Sequence, residues 1–275
     1  MHLSMWSSFL LELAPEEMVR TLAEHGWKCA ELSDEHARML LDRGDAGAIG
    51  SAFRAHAADF GLSFPQGHLW LGADIAHPDP KIRSIHVAIL KRWCDLFVAA
   101  GVNAAVVHPG GSFRTDSMSA ADVAGLSRES LAELITHIAG SDMALCLENV
   151  FGLVSFASGL LDLLAPLPPA HTGICLDTGH LNIDGGSFRD FVVQAGQALK
   201  ALHIHDNSGK RDDHMLPYGG GTVPWPEVLG ALRDAQYARA FTFEIPGESR
   251  CPWEAKMAKL DYARILGERM TEGRA

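Results

Sequence analysis

The stretch Gly173-Ile174-Cys175-Leu176-Asp177-Thr178-Gly179-His180 decides the fold. Its first half is a short apolar run, the pattern of a strand buried on both faces of a parallel sheet. Its second half is a polar group rather than a hairpin turn, so the chain does not double back into an antiparallel neighbour. The same punctuation recurs outward in both directions. Upstream, Met143–Asn149 ends on Glu148-Asn149, Ala104–His108 runs into Pro109-Gly110, and Leu62–Pro65 runs into Gln66-Gly67-His68. Earlier still lie Cys29–Leu32, followed by Ser33-Asp34-Glu35-His36, and Leu3–Ser7. Downstream, Ala201–His205 carries His203-Ile204-His205-Asp206, and Ala240–Ile245 carries Glu244.

Amphipathic stretches separate these runs. Pro15-Glu16-Glu17 opens a helix that Gly26 closes, and Pro80 opens a long one that reaches Gly101. Further helices are expected over about 120–139, 155–164, 187–199, 226–235 and 253–270. Eight strands alternating with helices predict a parallel sheet under a helical layer. At 275 residues the economical closure is a single-domain α/β fold, the (β/α)8 TIM barrel, over residues 1–275. The competing open, doubly wound sheet normally carries a glycine-rich turn after its first strand, and none occurs here.

Composition narrows the function. With 47% hydrophobic and 21% charged residues the chain is neither disordered nor membranous. The 23 basic against 34 acidic side chains give a charge of −11, a poor footprint for phosphate-rich nucleic acid. Five scattered cysteines without a CxxC pair suggest reduced thiols and a cytoplasmic location, with Cys146 and Cys175 as small core residues. The start MHLSMWSSFLLELAPEE lacks a basic segment and is not expected to be a signal peptide, and no apolar run is long enough to span a membrane.

In such barrels the working residues stand at the C-terminal ends of the strands. Glu148, Asp177 and Glu244 each follow apolar neighbours there, and burying three carboxylates together is costly without a compensating cation. A structural ion-pair network is the plain alternative, but few basic residues lie nearby in sequence. Carboxylates with imidazoles are the donor set for Mn²⁺, Zn²⁺, Co²⁺ or Fe²⁺. The loop after the seventh strand adds Asp212 and His214 and then Gly219-Gly220-Gly221; Lys210 and Arg211 are either contacts for an anionic substrate group or plain surface charges. Trp6, Trp70, Glu31, Glu35, His36 and Gln66 are further pocket candidates, the tryptophans equally suited to core packing.

The ordered set HPG, LEN, DTGH, HIHD, a D-x-H with its glycine-rich turn, and FEI resembles the xylose isomerase-like TIM-barrel superfamily, which holds sugar (phosphate) isomerases and epimerases and the family 2 AP endonucleases. The motifs span about residues 62–246. Resemblance to the isomerases and epimerases implies one divalent metal (Mn²⁺, Co²⁺, Mg²⁺ or Zn²⁺) on Glu148, Asp177, His203 and Glu244. It implies Glu148 and Glu244 as the two catalytic proton carriers, working through a metal-bound enediolate of a sugar or polyol-ketone, with His180, His68 and His108 contacting substrate. Resemblance to endonuclease IV implies instead a three-zinc phosphodiesterase centre. Its nine ligands would be His68, His108, Glu148, Asp177, His180, His203, Asp212, His214 and Glu244.

Ligand count favours the second branch. The charge, the acidic segment Glu31–His36 and the PYGGG turn, with no Glu between its glycines, favour small-molecule chemistry. A metal-binding but idle barrel would lack one of the two glutamates, and neither is missing. The expectation is therefore a metal-dependent carbohydrate isomerase or epimerase, with nucleic acid and membranes disfavoured as partners. Oligomeric state is unread, and a homo-oligomer is compatible with the sequence.

Overall fold

A computed structural model describes residues 1–110, 118–150 and 154–272. Its strands are β1 His2–Trp6, β2 Cys29–Leu32, β3 Ser63–His68, β4 Ala104–Val107, β5 Ala144–Glu148, β6 Thr172–Asp177, β7 Leu199–Ile204 and β8 Ala240–Phe243. They close in chain order into one barrel, every pair parallel, sealed by β1 on β8 at Ser4↔Thr242. The helices are α1 Pro15–Glu24, α2 Asp34–Leu41, α3 Ala46–Asp59, α4 Pro80–Ala100 and α5 Ala120–Ile138. Then follow α6 Ala157–Leu164, α7 Thr178–Ile183, α8 Phe188–Ala195, α9 Trp225–Asp234 and α10 Trp253–Thr271. No described helix is long and apolar enough to cross a membrane.

The runs that read as uniformly apolar carry a hidden alternation. Ala104, Val106, Ala144, Cys146, Cys175 and Ala201 form one cluster of their own. Their neighbours Val107, Leu145, Leu147, Ile174, Leu176, Leu202 and Ile204 belong to the large core under the helices. Side chains on a strand point alternately to its two faces, so the small residues fill the lumen and the large ones meet the helices. Burial pushes the Cys146 thiol up to about 12 and Cys175 well above its usual range, which leaves both as inert core residues.

The helices begin where capping chemistry dictates. Ser33, Asp45, Asp79 and Ser187 each accept a backbone N–H of the first turn, and Ser119 and Asp122 form a reciprocal capping box. Several boundaries differ from the sequence reading. β3 extends to His68, because Gln66-Gly67-His68 pairs with Ala104–Val106 instead of forming a loop. β4 stops at Val107, and β7 runs from Leu199 to Ile204, leaving His108 and His205 just past the strand ends. α2 and α3 fill the segment after β2, for which the periodicity indicated no helix.

Candidate metal centre

Strand register sets the first layer of the site. Glu148 pairs with Cys175, Asp177 with His203, and His203 with Thr242, so the polar residues of β5 to β8 gather at one end of the lumen. Glu148, Asp177, His203 and Glu244 each offer a donor atom, all within 4.8 Å of one another. Two more groups meet the same criterion: His68, His108 and Glu148, and His205, Asp212 and His214. Glu148 joins the first two directly. Its Oε2 lies 3.2 Å from His108 Nε2 and 3.4 Å from His68 Nε2, and its Oε1 lies 3.2 Å from His203 Nδ1.

Each residue of the Asp177–His180 segment has a separate task. Asp177 presents its carboxylate to the centre while Oδ1 accepts the His180 backbone N–H at 2.7 Å. Thr178 Oγ1 donates to the His205 carbonyl at 2.7 Å and accepts the His205 N–H at 3.0 Å, tying β6 to the end of β7. Gly179 leaves room for the His205 ring: a Cβ there would come within 2.0 Å of its Cε1. Asn149 fixes the segment from below, accepting the Asp177 N–H on Oδ1 at 2.6 Å and donating from Nδ2 to the Asp177 carbonyl at 3.0 Å.

The imidazoles are oriented by their second nitrogens. Nδ1 of His68 meets the Leu69 carbonyl at 2.6 Å, that of His180 the Asn149 carbonyl at 2.9 Å, and that of His214 the Glu244 carbonyl at 2.9 Å. A carbonyl only accepts, so Nδ1–H is the donor in all three and Nε2 is the nitrogen left to face the centre. Those Nε2 atoms face carboxylates: Glu148 for His68, and Asp212 for His180 and His214 at 3.4 and 3.0 Å. This is the second-layer pattern of metal-binding histidines.

The loop between β7 and α9 hangs over this layer. Asp206 and Met215 exchange backbone hydrogen bonds of 2.8 Å each way. The buried Asp206 carboxylate also takes the Val223 N–H at 3.0 Å and Trp225 Nε1 at 2.8 Å. Asp206 thus anchors the loop, and the loop brings Asp212 and His214 to the centre. His214 stacks on His205 at 4.0 Å between centroids, and Trp6 stacks on its ring at 6.4 Å.

Charge is unevenly settled. Burial would raise the Glu148 carboxyl, but His203, His108 and His68 hold it well below the usual carboxylate range. Asp177 is likewise pulled against burial to about 2 by His180 and His205. Burial dominates at Glu244 and lifts it to about 7. Burial opposes charge on the imidazoles, yet Glu148 lifts His68 to about 9, Asp177 and Asp212 lift His180 to about 11, and Asp212 and Glu244 lift His214 to about 10. No described Lys or Arg pairs with Glu148, Asp177, Asp212 or Glu244. Among the described residues, buried Glu244 Oε2 and His205 Nδ1 have no hydrogen-bond partner. Carboxylates, imidazoles whose Nε2 protons a cation would displace, and an unsatisfied carboxylate oxygen at one point fit divalent cations.

All nine residues expected from the sequence therefore stand at one barrel mouth. His205, quoted in the motif but not among the expected ligands, stands with them, its Nε2 2.9 Å from Asp177 Oδ2. Two expectations take a different form. Lys210 and Arg211 are exposed, and the Arg211 guanidinium is engaged by Asp213 at 2.8 Å. The segment Glu31–His36 is not an acidic rim, since Glu31 and His36 are fully buried and Asp34 nearly so; only Glu35 reaches the surface. Trp70 stacks on Trp93 at 6.2 Å.

Comparison with known proteins settles the family. The xylose isomerase-like TIM-barrel family matches residues 19–263. The chain belongs to that family. Among its relatives, a probable endonuclease 4 of Nitratidesulfovibrio vulgaris is 28% identical over 252 residues, covering 84% of this chain and 87% of that protein. A D-psicose 3-epimerase of Enterocloster bolteae is 33% identical over 84 residues, 30% of this chain and 26% of the epimerase. The chain spans 56% of the length of a further relative, from Sinorhizobium fredii. In structure it is similar to a D-psicose 3-epimerase of Clostridium cellulolyticum solved with D-tagatose, at a TM-score of 0.83 and 18% identity, over 98% of this chain and 99% of that one. That identity carries the fold alone.

Proposed function

We propose that the protein is a divalent-metal-dependent isomerase or epimerase of a small carbohydrate or polyol-ketone. The observation that carries this reading is the strand-borne group. Glu148 on β5 and Glu244 just past β8 stand three strands apart around the closed barrel, with Asp177 and His203 between them in one four-donor cluster. Glu148, Asp177, His203 and Glu244 would hold the metal, whose chemistry is Lewis-acid polarisation of a substrate carbonyl. The two glutamates approach a seated substrate from different sides. One takes the proton from the carbon beside the carbonyl, and the other delivers a proton to the same or the neighbouring carbon. His68, His108 and His180 surround the substrate hydroxyls, and the low local dielectric strengthens each contact. Lys210 is a nearby cation left to meet an anionic substrate group if one is present, Arg211 being held by Asp213. Five unpaired thiols agree with a cytoplasmic reaction.

Glu148→Gln and Glu244→Gln are each expected to lower ketose turnover by about 10²–10⁴-fold with the fold retained. Full activity in both variants defeats the two-glutamate mechanism.

A second reading has its own observation: three donor groups that overlap at Glu148 and reach Asp212 and His214. That arrangement suits a trinuclear zinc phosphodiesterase like the endonuclease 4 relatives. Three zincs per chain with incision of abasic-site DNA at physiological salt would establish it in place of the first. The −11 charge and the engagement of Arg211 by Asp213 weigh toward the small substrate.

A further inference from the structure

Beneath the centre lies a further carboxylate that none of the three donor groups includes. Glu31, on β2, is fully buried, and its Oε2 and Oε1 lie 3.1 and 3.3 Å from His203 Nε2. The Gln66 amide donates to the same Oε2. Gln66 is itself fixed to β7, donating to the Leu202 carbonyl at 3.1 Å and accepting the Leu202 N–H at 3.4 Å. Among the described residues no Lys or Arg pairs with Glu31. An ionised carboxylate in a barrel lumen is costly, and a leucine would serve packing better. Its placement therefore calls for a reason outside stability.

We propose that Glu31 is a positioning residue that makes His203 Nδ1 the ligating nitrogen and strengthens it as a donor. The carboxylate accepts Nε2–H, so the lone pair sits on Nδ1, which faces Glu148 Oε1 at 3.2 Å, Glu244 Oε2 at 3.5 Å and Asp177 Oδ2 at 3.9 Å. The other three oriented histidines give their second N–H to neutral backbone carbonyls and turn Nε2 toward the centre. At His203 a carboxylate takes the place that a carbonyl holds at 2.6–2.9 Å in the other three, although His180 Nδ1 also has Glu148 Oε1 at 3.4 Å, and a carboxylate partner raises imidazole basicity more than a carbonyl does. Gln66 keeps the carboxylate beneath the ring by joining β2 and β3 to β7 across the lumen.

The inference rests on the metal reading but not on any particular reaction, so its test is metal affinity. Chelator-stripped protein is titrated with Co²⁺, following both affinity and the visible absorption of the bound ion. Glu31→Gln is expected to bind Co²⁺ about 10–100-fold more weakly and to alter the band, with the metal-free protein unfolding at the same temperature or higher. In a His203→Asn background, Glu31→Gln is expected to have no further effect on affinity. Wild-type affinity and spectrum in Glu31→Gln, or an undiminished effect without His203, overturn the proposal. Failure of the wild-type protein to bind Co²⁺ would instead defeat the metal reading itself. Should Glu31→Gln not fold, Gln66→Met, which leaves the carboxylate but releases it, is expected to weaken Co²⁺ binding in the same direction; unchanged binding there also overturns the proposal.

Discussion

The centre is built in two different ways on its two sides. Glu148, Asp177, His203 and Glu244 stand at strand ends, are 0–12% exposed in their side chains and are braced by Asn149, Thr178 and Glu31. Asp212 and His214 ride on a loop, are 31% and 25% exposed, and rely on the Asp206 anchor behind them. A donor fixed by a strand and an outer hydrogen bond holds its position whether or not an ion is present. A donor on a loop gains part of its order from the ion. The strand side is therefore expected to set affinity and chemistry, and the loop side the number of ions and the fit of the substrate.

The hardest test removes one donor from each side. Asp177→Asn is expected to abolish tight binding at the strand group and, with it, turnover by at least about 10²-fold. Asp212→Ala is expected to leave the tightly held ion of the strand group in place by elemental analysis, any further loss of metal marking ions of the three-zinc reading. Equal metal loss in both variants would erase the distinction between the sides.

The pH dependence of stability separates the stripped and loaded proteins. His68, His214 and His180 have folded values of about 9, 10 and 11 against 6.5 when unfolded. Groups raised in this way stabilise fully below pH 6.5, and the contribution is lost as pH climbs through their folded values. Asp177, lowered to about 2, contributes above its unfolded value of 3.8 and loses that contribution as pH falls toward 2. The melting temperature of chelator-stripped protein is thus expected to fall between pH 6.5 and 9. Under the three-zinc reading the loaded protein, whose ligating imidazoles carry no ligand-side proton, is expected to resist that decline, whereas under the single-metal reading these histidines stay free to titrate in both forms. Parallel curves for the two forms would count against metal at these histidines.

Smaller effects follow from packing and surface charge. Gly179→Ala forces the new methyl into the His205 ring and is expected to cost about 1–3 kcal/mol in denaturant unfolding. It should disturb the loop side more than the strand side, because His205 stacks on His214. Lys210→Ala and Arg211→Ala are expected to change stability by less than about 0.5 kcal/mol. For a neutral sugar they should leave KM unchanged. A rise in KM confined to a phosphorylated substrate would assign these side chains a role.

How much of this the residues announce depends on where they sit. The barrel was legible because strand runs such as Cys175-Leu176-Asp177 end abruptly in polar residues, and buried parallel strands tolerate such residues only at their ends. The donors at 148, 177 and 244 were legible for the same reason. His205 was harder: it lies one residue past β7, where alternation no longer says which way a side chain points, and its inward direction depends on contacts distant in sequence, with Thr178 holding its backbone and Gly179 leaving room for its ring. Glu31 read both as a pocket candidate and as the start of an acidic segment, because β2 is only four residues long, too short for periodicity to mark its inward face. α3 was hidden by Gly47 and Gly50, residues that argue against a helix locally. Gly50 is there for packing: a Cβ would fall 2.5 Å from the Leu96 carbonyl oxygen of α4.

The bridge between Asp206 and Met215 has a consequence for how such proteins diversify. It brings the two ends of the ligand-bearing excursion together as a clasp, so what lies between can be lengthened, shortened or replaced without shifting any strand. The barrel would keep its four-donor cluster through every such exchange. Such an exchange would change only the Asp212 and His214 donors, while His68, His108 and His180 stay with the barrel, so the loop side of the site can vary as one surface module without the strand side being rebuilt.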